Sequence, residues 1–355
     1  FGSSPKGLIY GIRMMKTWLY DGVPADYLRY EDVLAELKDG LEKGYFEQVI
    51  RESFLENPHE ALVTLAPSRT LGQEREEEQA AILAEKKAAM SANEIAAIVD
   101  ACAALKAAQE EADSEEVLAS IPILARSDIR KEAEHLPLEI RDLEGTQILY
   151  SDIETNGIVY LNFYFPMVAV AQEDLQYAYL LAEMFGAVDT ARHSYAELAM
   201  LRSLYTGGFG ADIVAYTRAG EADSLMPRFK LRAKVLRGNL PRLFELLTEI
   251  IGTSDFSGSK RIRELVDEEK TGMELSLQRA ANQVVASRIA AYLTPAGAYA
   301  EVGGLPFHDF LSAFKENFDA DHAKMQAAFA RILPQIFNAN DLMVSVTTPA
   351  AHYDE

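Results

Sequence analysis

The histidines are the first residues to consider for metal or acid/base chemistry. No two of them stand three or four residues apart, the spacing that places two imidazoles on one helical face as metal ligands. His193 and Glu197 are one helical turn apart, but Ser194 and Glu197 fit a capping box. We therefore predict that His193 is an exposed residue at a helix start. The six histidines are His59, His135, His193, His308, His322 and His352.

Nucleophile and phosphate-binding motifs are also missing from the sequence. It has no G-x-S-x-G elbow, no Walker A loop, and no G-x-G-x-x-G after a strand. The glycines of 207–210 lie between a predicted helix and a predicted strand, which is typical of a tight turn. Acidic runs such as 74–78 lack EF-hand spacing and indicate solvated helical faces. We predict no catalytic residue and no metal ligand in this chain.

Composition and charge exclude several classes of protein. With 49% hydrophobic and 25% charged residues, the 355-residue chain is an ordinary globular sequence long enough for two or three domains. Its formal net charge of −21, from 34 basic and 55 acidic residues, disfavours nucleic acids and anionic membrane surfaces as partners. The single cysteine, Cys102, cannot form an internal disulfide. No apolar run is long enough for a membrane helix, so we expect a soluble protein.

The first part of the sequence, residues 1–68, predicts three helices followed by a short strand. The chain opens on Phe1 without a methionine and enters an amphipathic pattern almost at once, from which we expect a piece of a longer protein. Apolar spacing predicts helices up to Leu55, and the run 62–65 predicts a strand that ends at Pro67. This looks like an incomplete α+β unit rather than a whole domain.

Residues 69–120 predict a helical hairpin, which is more typical of a connector laid across a domain surface than of the alternative, a target-binding coiled coil. A polar helix covers 71–90, and Ser91 with Glu94 forms a capping box that starts a second helix. Cys102 falls on the narrow apolar stripe of that second helix, where we predict it to be buried.

Residues 121–355 predict a complete α+β domain. A hairpin of strands flanks Glu144-Gly145, and 157–165 is the strongest strand signal in the chain. Two further strands, several helices, a turn at 295–297 and a final strand at 342–346 follow. One helix is predicted to run from Ser259 towards Tyr292. This order favours an antiparallel-dominated sheet with helices on one face.

The order of these elements and four short motifs resemble the middle of a presequence-protease-type zinc metallopeptidase of the insulinase/pitrilysin superfamily. The likeness spans nearly all of the chain. It includes the end of that family's second domain, the hairpin linker and a third, insulinase-type α/β sandwich domain. The motif residues, which we expect to be structural, are Thr155, Asn156, Gly157, Thr206, Gly207, Gly208, Leu293, Thr294, Pro295 and Gly297, with Ser127-Asp-Ile129 before them.

The resemblance implies a noncatalytic role for this chain. Family members close two halves around unfolded peptides and hold Zn²⁺ in their first domain, on an H-x-x-E-H helix. The third domain repeats the first, so its helix at 173–185 corresponds to the zinc helix. Setting Met184-Phe-Gly186 against the end of that helix places Tyr177, Leu180 and Leu181 at the His, Glu and His positions. Such a helix binds no zinc, so no cofactor is expected in this segment.

The implied partners are the first and fourth domains of the same polypeptide and unfolded peptide substrates. The sheet would form a chamber wall, whose acidity would favour basic peptides, and the hairpin would act as a hinge. The alternative is a structural or assembly subunit with an inactive insulinase-type fold. The compartment would be the cytoplasm in a bacterium or an organelle matrix in a eukaryote. We expect exposed apolar surface in 1–68 to favour self-association.

Overall fold

The structure, a computed structural model, describes residues 5–129, 131–133 and 135–354. The chain divides into a first unit up to Ile123 and a second unit from Leu124. The predicted division of the first unit at residue 68 stays a prediction, and the opening residues 1–4 lie outside the described part. No described helix is both long and apolar enough to cross a membrane.

From residue 5 onward, the regular structure of the first unit is entirely helical. None of the residues in its helices is buried, and the single tryptophan of the chain, Trp18, is 63% exposed. The helices are α1 (Lys6–Trp18), α2 (Glu31–Leu41), α3 (Tyr45–Ile50, continued by a π-helical turn at Arg51–Leu55), α4 (Leu71–Ala89), α5 (Ala92–Glu110) and α6 (Glu115–Ser120).

Two expectations for this unit are wrong. Residues 62–65 form no strand, because no described segment pairs with them, and Leu62 and Leu65 are almost fully exposed. Cys102 is exposed rather than buried, and no other described residue of α5 is buried either. The Ser91–Glu94 capping box at the start of α5 is present as predicted. Packing of α4 against α5 as a hairpin stays a prediction.

The second unit is built on one six-stranded sheet with the order β1-β2-β6-β3-β5-β4. All neighbouring strands are antiparallel except β2 and β6, which are parallel. This confirms an α+β fold with an antiparallel-dominated sheet. The strands are β1 (Glu139–Leu143), β2 (Thr146–Ser151), β3 (Ile158–Pro166), β4 (Gly208–Tyr216), β5 (Met226–Leu236) and β6 (Met343–Thr347).

Helices cover one face of this sheet and form the core with it. Inward residues of β3 and β5, such as Leu161 and Leu231, are buried against side chains of α7, α9, α13 and α14. Burial of this apolar face is the main source of stability. The helices are α7 (Leu175–Met184), α8 (Tyr195–Tyr205), α9 (Leu240–Thr253), α10 (Ser259–Arg279), α11 (Ala281–Ala290), α12 (Pro295–Glu301), α13 (Leu305–Glu316) and α14 (Phe318–Ile336).

Two boundaries differ from the sequence expectation. The long helix from Ser259 is divided at Ala280, whose backbone leaves the helical region at φ −130° and ψ 36°, so α10 and α11 are separate. Residues 295–297 are the first turn of α12 and not a free turn. Pro295 suits that position because it needs no intrahelical N–H partner, and the Thr294 hydroxyl accepts from the Gly297 N–H at 3.0 Å.

Gly297 is required by a close approach between α12 and the end of α11. A Cβ atom at this position would lie 2.3 Å from the carbonyl oxygen of Ala290. We expect Gly297→Ala to lower the free energy of unfolding by about 2 kcal/mol, because the backbone must shift to relieve the overlap. The measurement is urea denaturation followed by far-UV circular dichroism.

Gly272→Ala is the matched control for this substitution. Gly272 lies within α10, and a Cβ atom there meets nothing within 4 Å. We expect this variant to gain up to about 1 kcal/mol from the higher helix propensity of alanine. Equal stability of the two variants would contradict the close-approach argument.

Candidate functional site

The α7 positions set against the zinc ligands lie in the core. Leu180 and Leu181 are fully buried, and Tyr177 is half-buried with its ring edge-on to Phe310 at 5.2 Å between centroids. Apolar side chains and a phenol in these places supply neither zinc ligands nor a carboxylate base. Their correspondence with a zinc helix stays a prediction. Within the described ranges, no three His, Cys, Asp or Glu residues are grouped as a metal site.

A carboxyl pair lies one turn further along α7. The Glu183 and Glu269 side chains, from α7 and α10, are hydrogen-bonded to each other beside a cavity of about 250 Å³. Glu183 is exposed as a residue, but partial burial of its carboxyl group and the charge of Glu269 raise its pKa to about 7. The sequence gives no sign of this carboxyl pair, because the two glutamates are brought together only by the packing of α7 against α10.

His193 is not the exposed helix-start residue that its spacing predicts. Its Nδ1 lies 2.8 Å from Oε1 of Glu249, a buried residue of α9. Burial alone would raise the pKa of Glu249, but hydrogen bonds from Thr190 and His193 and the nearby Arg192 charge hold it below its usual range. These bonds anchor the start of α8 to α9, and Ser194 and Glu197 still form the predicted capping box. A structural role, the anchoring of α8 to α9, therefore accounts for this cluster.

The motif residues Thr155, Asn156 and Gly157 form the turn that leads into β3. Asn156 and Gly157 both have positive φ, of 53° and 77°, a left-handed backbone conformation that Asn and Gly adopt more readily than other residues. The Thr155 hydroxyl donates to the Ile158 carbonyl, and the Gly157 carbonyl accepts from the Arg237 N–H at 3.0 Å. The motif therefore sets where β3 begins.

Thr206, Gly207 and Gly208 connect α8 to β4. The Thr206 hydroxyl donates to the Arg202 carbonyl at 2.8 Å, and the Gly207 N–H donates to the Lys234 carbonyl at 2.8 Å. Cβ atoms at the two glycines would press on the Lys234 side chain at 3.2 and 3.1 Å. The tight turn predicted over 207–210 is shorter than expected, because Gly208, Phe209 and Gly210 already pair with β5 as the start of β4. Only Thr206 and Gly207 connect the two elements. Leu293, by contrast, is largely exposed ahead of the Thr294 cap of α12.

The face of the sheet opposite the helices carries a row of cations that we call the basic stripe. It consists of four alternate residues in the middle of β5, namely Arg228, Lys230, Arg232 and Lys234. The expectation that the sheet presents an acidic surface is wrong for this face. Net charge had concealed the stripe, although the alternation of cations with apolar residues was readable from the sequence.

The contacts of the basic stripe leave most of its charge available. The Arg232 Nε lies 3.4 Å from the Asp212 carboxylate of β4, and Arg228 donates to the Asp341 carbonyl at 2.9 Å. The Lys230 ammonium lies 5.7 Å from the centroid of the Tyr164 ring. Lys234 has no ion pair in the described ranges, and it lines a cavity of about 370 Å³ together with Tyr160, Asn162, Gly207, Gly208, Phe209, Arg232 and Ala233.

A second, larger concavity lies on the helix-covered side, at the start of α9. It has a volume of about 900 Å³, with a floor of sheet residues such as Ile148 and Val344 and a wall that includes Phe244. Its rim includes Arg237 and His352, which lie within 2.6 Å of each other. Nothing in the described part of the second unit fills this groove.

Comparison with known proteins gives consistent results. A family model for the region associated with M16 peptidases of subfamily C matches residues 65–314. The chain is 29% identical to "Protein HypA" of Clostridium perfringens over 100% of its own length and 36% of that protein. It is 27% identical to "Presequence protease 1, chloroplastic/mitochondrial" of Arabidopsis thaliana over 98% of this chain and 32% of that protein. The chain thus spans about a third of the length of these relatives.

We expect the Glu183–Glu269 pair to make stability depend on pH. The folded pKa of Glu183 is raised from about 4.5 to about 7, so the folded state holds a proton there that the unfolded state releases in this window. The free energy of unfolding should therefore fall as pH rises from about 5 to 7. Glu183→Gln should remove this pH-dependent fall. At pH 8 we expect the variant to be about 1 kcal/mol more stable than wild type, a modest difference because solvent screens the exposed part of the carboxyl group.

Urea denaturation across this pH range measures the effect. Glu316→Gln, at an exposed position at the end of α13, is the control and should keep the wild-type pH dependence. If the free energy of unfolding of Glu183→Gln depends on pH in the same way as that of wild type, the pair does not hold a proton near neutral pH.

Proposed function

Because the chain belongs to the family associated with M16 peptidases of subfamily C, we propose that it is a noncatalytic portion of a zinc metalloendopeptidase that degrades unfolded peptides. The family match over residues 65–314 carries the proposal. The Arabidopsis relative is named a presequence protease, which supports peptides as the substrate class. In this proposal Zn²⁺ binds in another domain of the longer protein, and this chain contributes no ligand.

The second unit would supply part of the wall of a peptide chamber. Its sheet offers one face to its own helices and leaves the other polar and open, as a wall requires. The α7 positions Tyr177, Leu180 and Leu181 support a packing role for that helix, because burying them stabilises the unit. The other domains of the polypeptide would be its partners.

Helices α4 and α5 would act as the hinge between the two halves. Each has 19 residues, and only one residue, Met90, and the Ser91 cap lie between them. Two such helices provide length without a core of their own, since neither contains a buried residue. A connector of this kind can set how far two halves separate.

The first test compares this chain alone with the protein from its full coding sequence. We expect no bound zinc and no cleavage of unfolded peptides by the chain alone. The longer protein should bind zinc and cleave such peptides, and a chelator should abolish the cleavage. Bound zinc is measured by elemental mass spectrometry. Cleavage is measured with a quenched fluorescent peptide.

The outcomes separate the proposal from its alternative. A longer protein with neither zinc nor activity would identify a structural or assembly subunit. Stoichiometric zinc on the chain alone would show that metal ligands exist here and would overturn the noncatalytic assignment.

The second test shortens α4 and α5 by two turns each in the longer protein. We expect cleavage of long peptides to fall at least several-fold, with short peptides affected less, because a shorter hinge limits opening. Rates for a series of peptide lengths are the measurement. Substituting exposed α4 residues Glu76 and Glu77 by Gln, without shortening, is the control. An unchanged length profile would exclude a hinge role.

A further inference from the structure

We propose that the basic stripe binds an acidic peptide segment in extended conformation, with carboxylates at alternate residues of the segment facing Arg228, Lys230, Arg232 and Lys234. The inference deepens the proposed function, on which it rests for the choice of a peptide as ligand. It adds the chemical class of the peptide and the surface that receives it.

Charge is the first argument. The chain has a net charge of −21, yet the outward residues of β5 include four cations. The register of the sheet places two strand carboxylates on the same face, Asp212 beside the stripe and Asp142 on the far strand β1. Only Asp212 contacts the stripe among these described carboxylates. A local excess of positive charge on an acidic protein is complementary to an anionic ligand.

Spacing is the second argument. Residues two apart on a strand point to the same face about 6.6–6.8 Å from each other. An extended peptide places its own alternate side chains at the same interval. A segment that lies along β5 therefore brings successive carboxylates opposite successive cations, whereas a helical ligand does not match this period.

Room on the sheet is the third argument. The residues paired with Lys234 and Arg232 on β4 are Gly208 and Gly210, which have no side chains to cover the stripe. On β3 the paired residues are Tyr160 and Asn162, and they line the same cavity as Lys234. Tyr160 is 41% exposed and offers an apolar ring and a hydroxyl beside the cations. The surface is shallow and open enough for a backbone to lie across it.

The choice of a peptide over a nucleic acid follows from the total charge. A nucleic acid strand extends far beyond four cations and meets the negative field of the rest of the chain. A short acidic peptide carries only the charges that the stripe neutralises.

Binding of labelled peptides to the full chain tests the proposal. The probe is a fluorescein-labelled peptide in which Glu alternates with Thr, compared with Gln–Thr and Lys–Thr versions and with an isomer whose glutamates are contiguous. We expect the alternating acidic peptide to bind about tenfold more tightly than the Gln–Thr peptide, and to weaken with salt. Fluorescence anisotropy is the measurement, and it needs no zinc or cleavage.

Charge reversal locates the site. R232E/K234E should lose at least about tenfold in affinity for the alternating acidic peptide. K86E/K87E, which makes the same change in net charge on the exposed surface of α4, should stay within about twofold of wild type. R232Q/K234Q repeats the test without the repulsion, and far-UV circular dichroism confirms that each variant is folded.

Several outcomes would overturn the proposal. One is an equal loss of affinity for the alternating acidic peptide in R232E/K234E and K86E/K87E. Another is that the Lys–Thr peptide or the contiguous isomer binds as tightly as the alternating acidic peptide. The last is that an oligothymidylate of matched charge binds more tightly than that peptide. Because binding is measured on this chain, such a failure leaves the peptidase proposal standing. Failure of the zinc test likewise leaves the binding result intact.

Discussion

The strict two-residue alternation along β5 is the constraint on which the second unit depends. Pro227, Phe229, Leu231, Ala233 and Val235 point to one side of the sheet and are all buried. The four residues between them are cations that point to the other side. Since β5 pairs with both β3 and β4, a slip of one residue would bring the cations under the helices. One strand thus fixes both the core and the open surface.

The same constraint explains why the α7 helix is committed to packing. Leu180 and Leu181 lie in the layer that covers the inward side of β5, with side chains that are fully buried. Three buried carboxylates occur among the described residues of this layer, and each is paired: Asp174 with Arg331, Glu249 with His193 and Arg192, and Glu301 with Arg288. A buried carboxylate without such a partner would be costly. Placing zinc ligands in α7 would thus require a new set of partners around them.

Much of the secondary structure was predictable because its signals are local. The capping boxes at Ser91 and Ser194 and the β-branched and aromatic run of β3 each depend on residues close in sequence. The errors arose where distant residues decide. His193 is bonded to Glu249 on another helix, and the apolar run 62–65 has no partner strand among the described residues. The stripe was missed for a different reason, since an overall charge of −21 hides the sign of a single strand.

The position of the only tryptophan, Trp18, determines which optical signals report on which part of the chain. It lies at the end of α1 in the first unit and is already 63% exposed in the folded state. We therefore expect its emission to change little on unfolding. The aromatic residues of the second unit are tyrosines and phenylalanines, including the buried Tyr150 and the Tyr164–Tyr216 pair. Near-ultraviolet circular dichroism of tyrosine is accordingly the spectroscopic window on the packing of that unit.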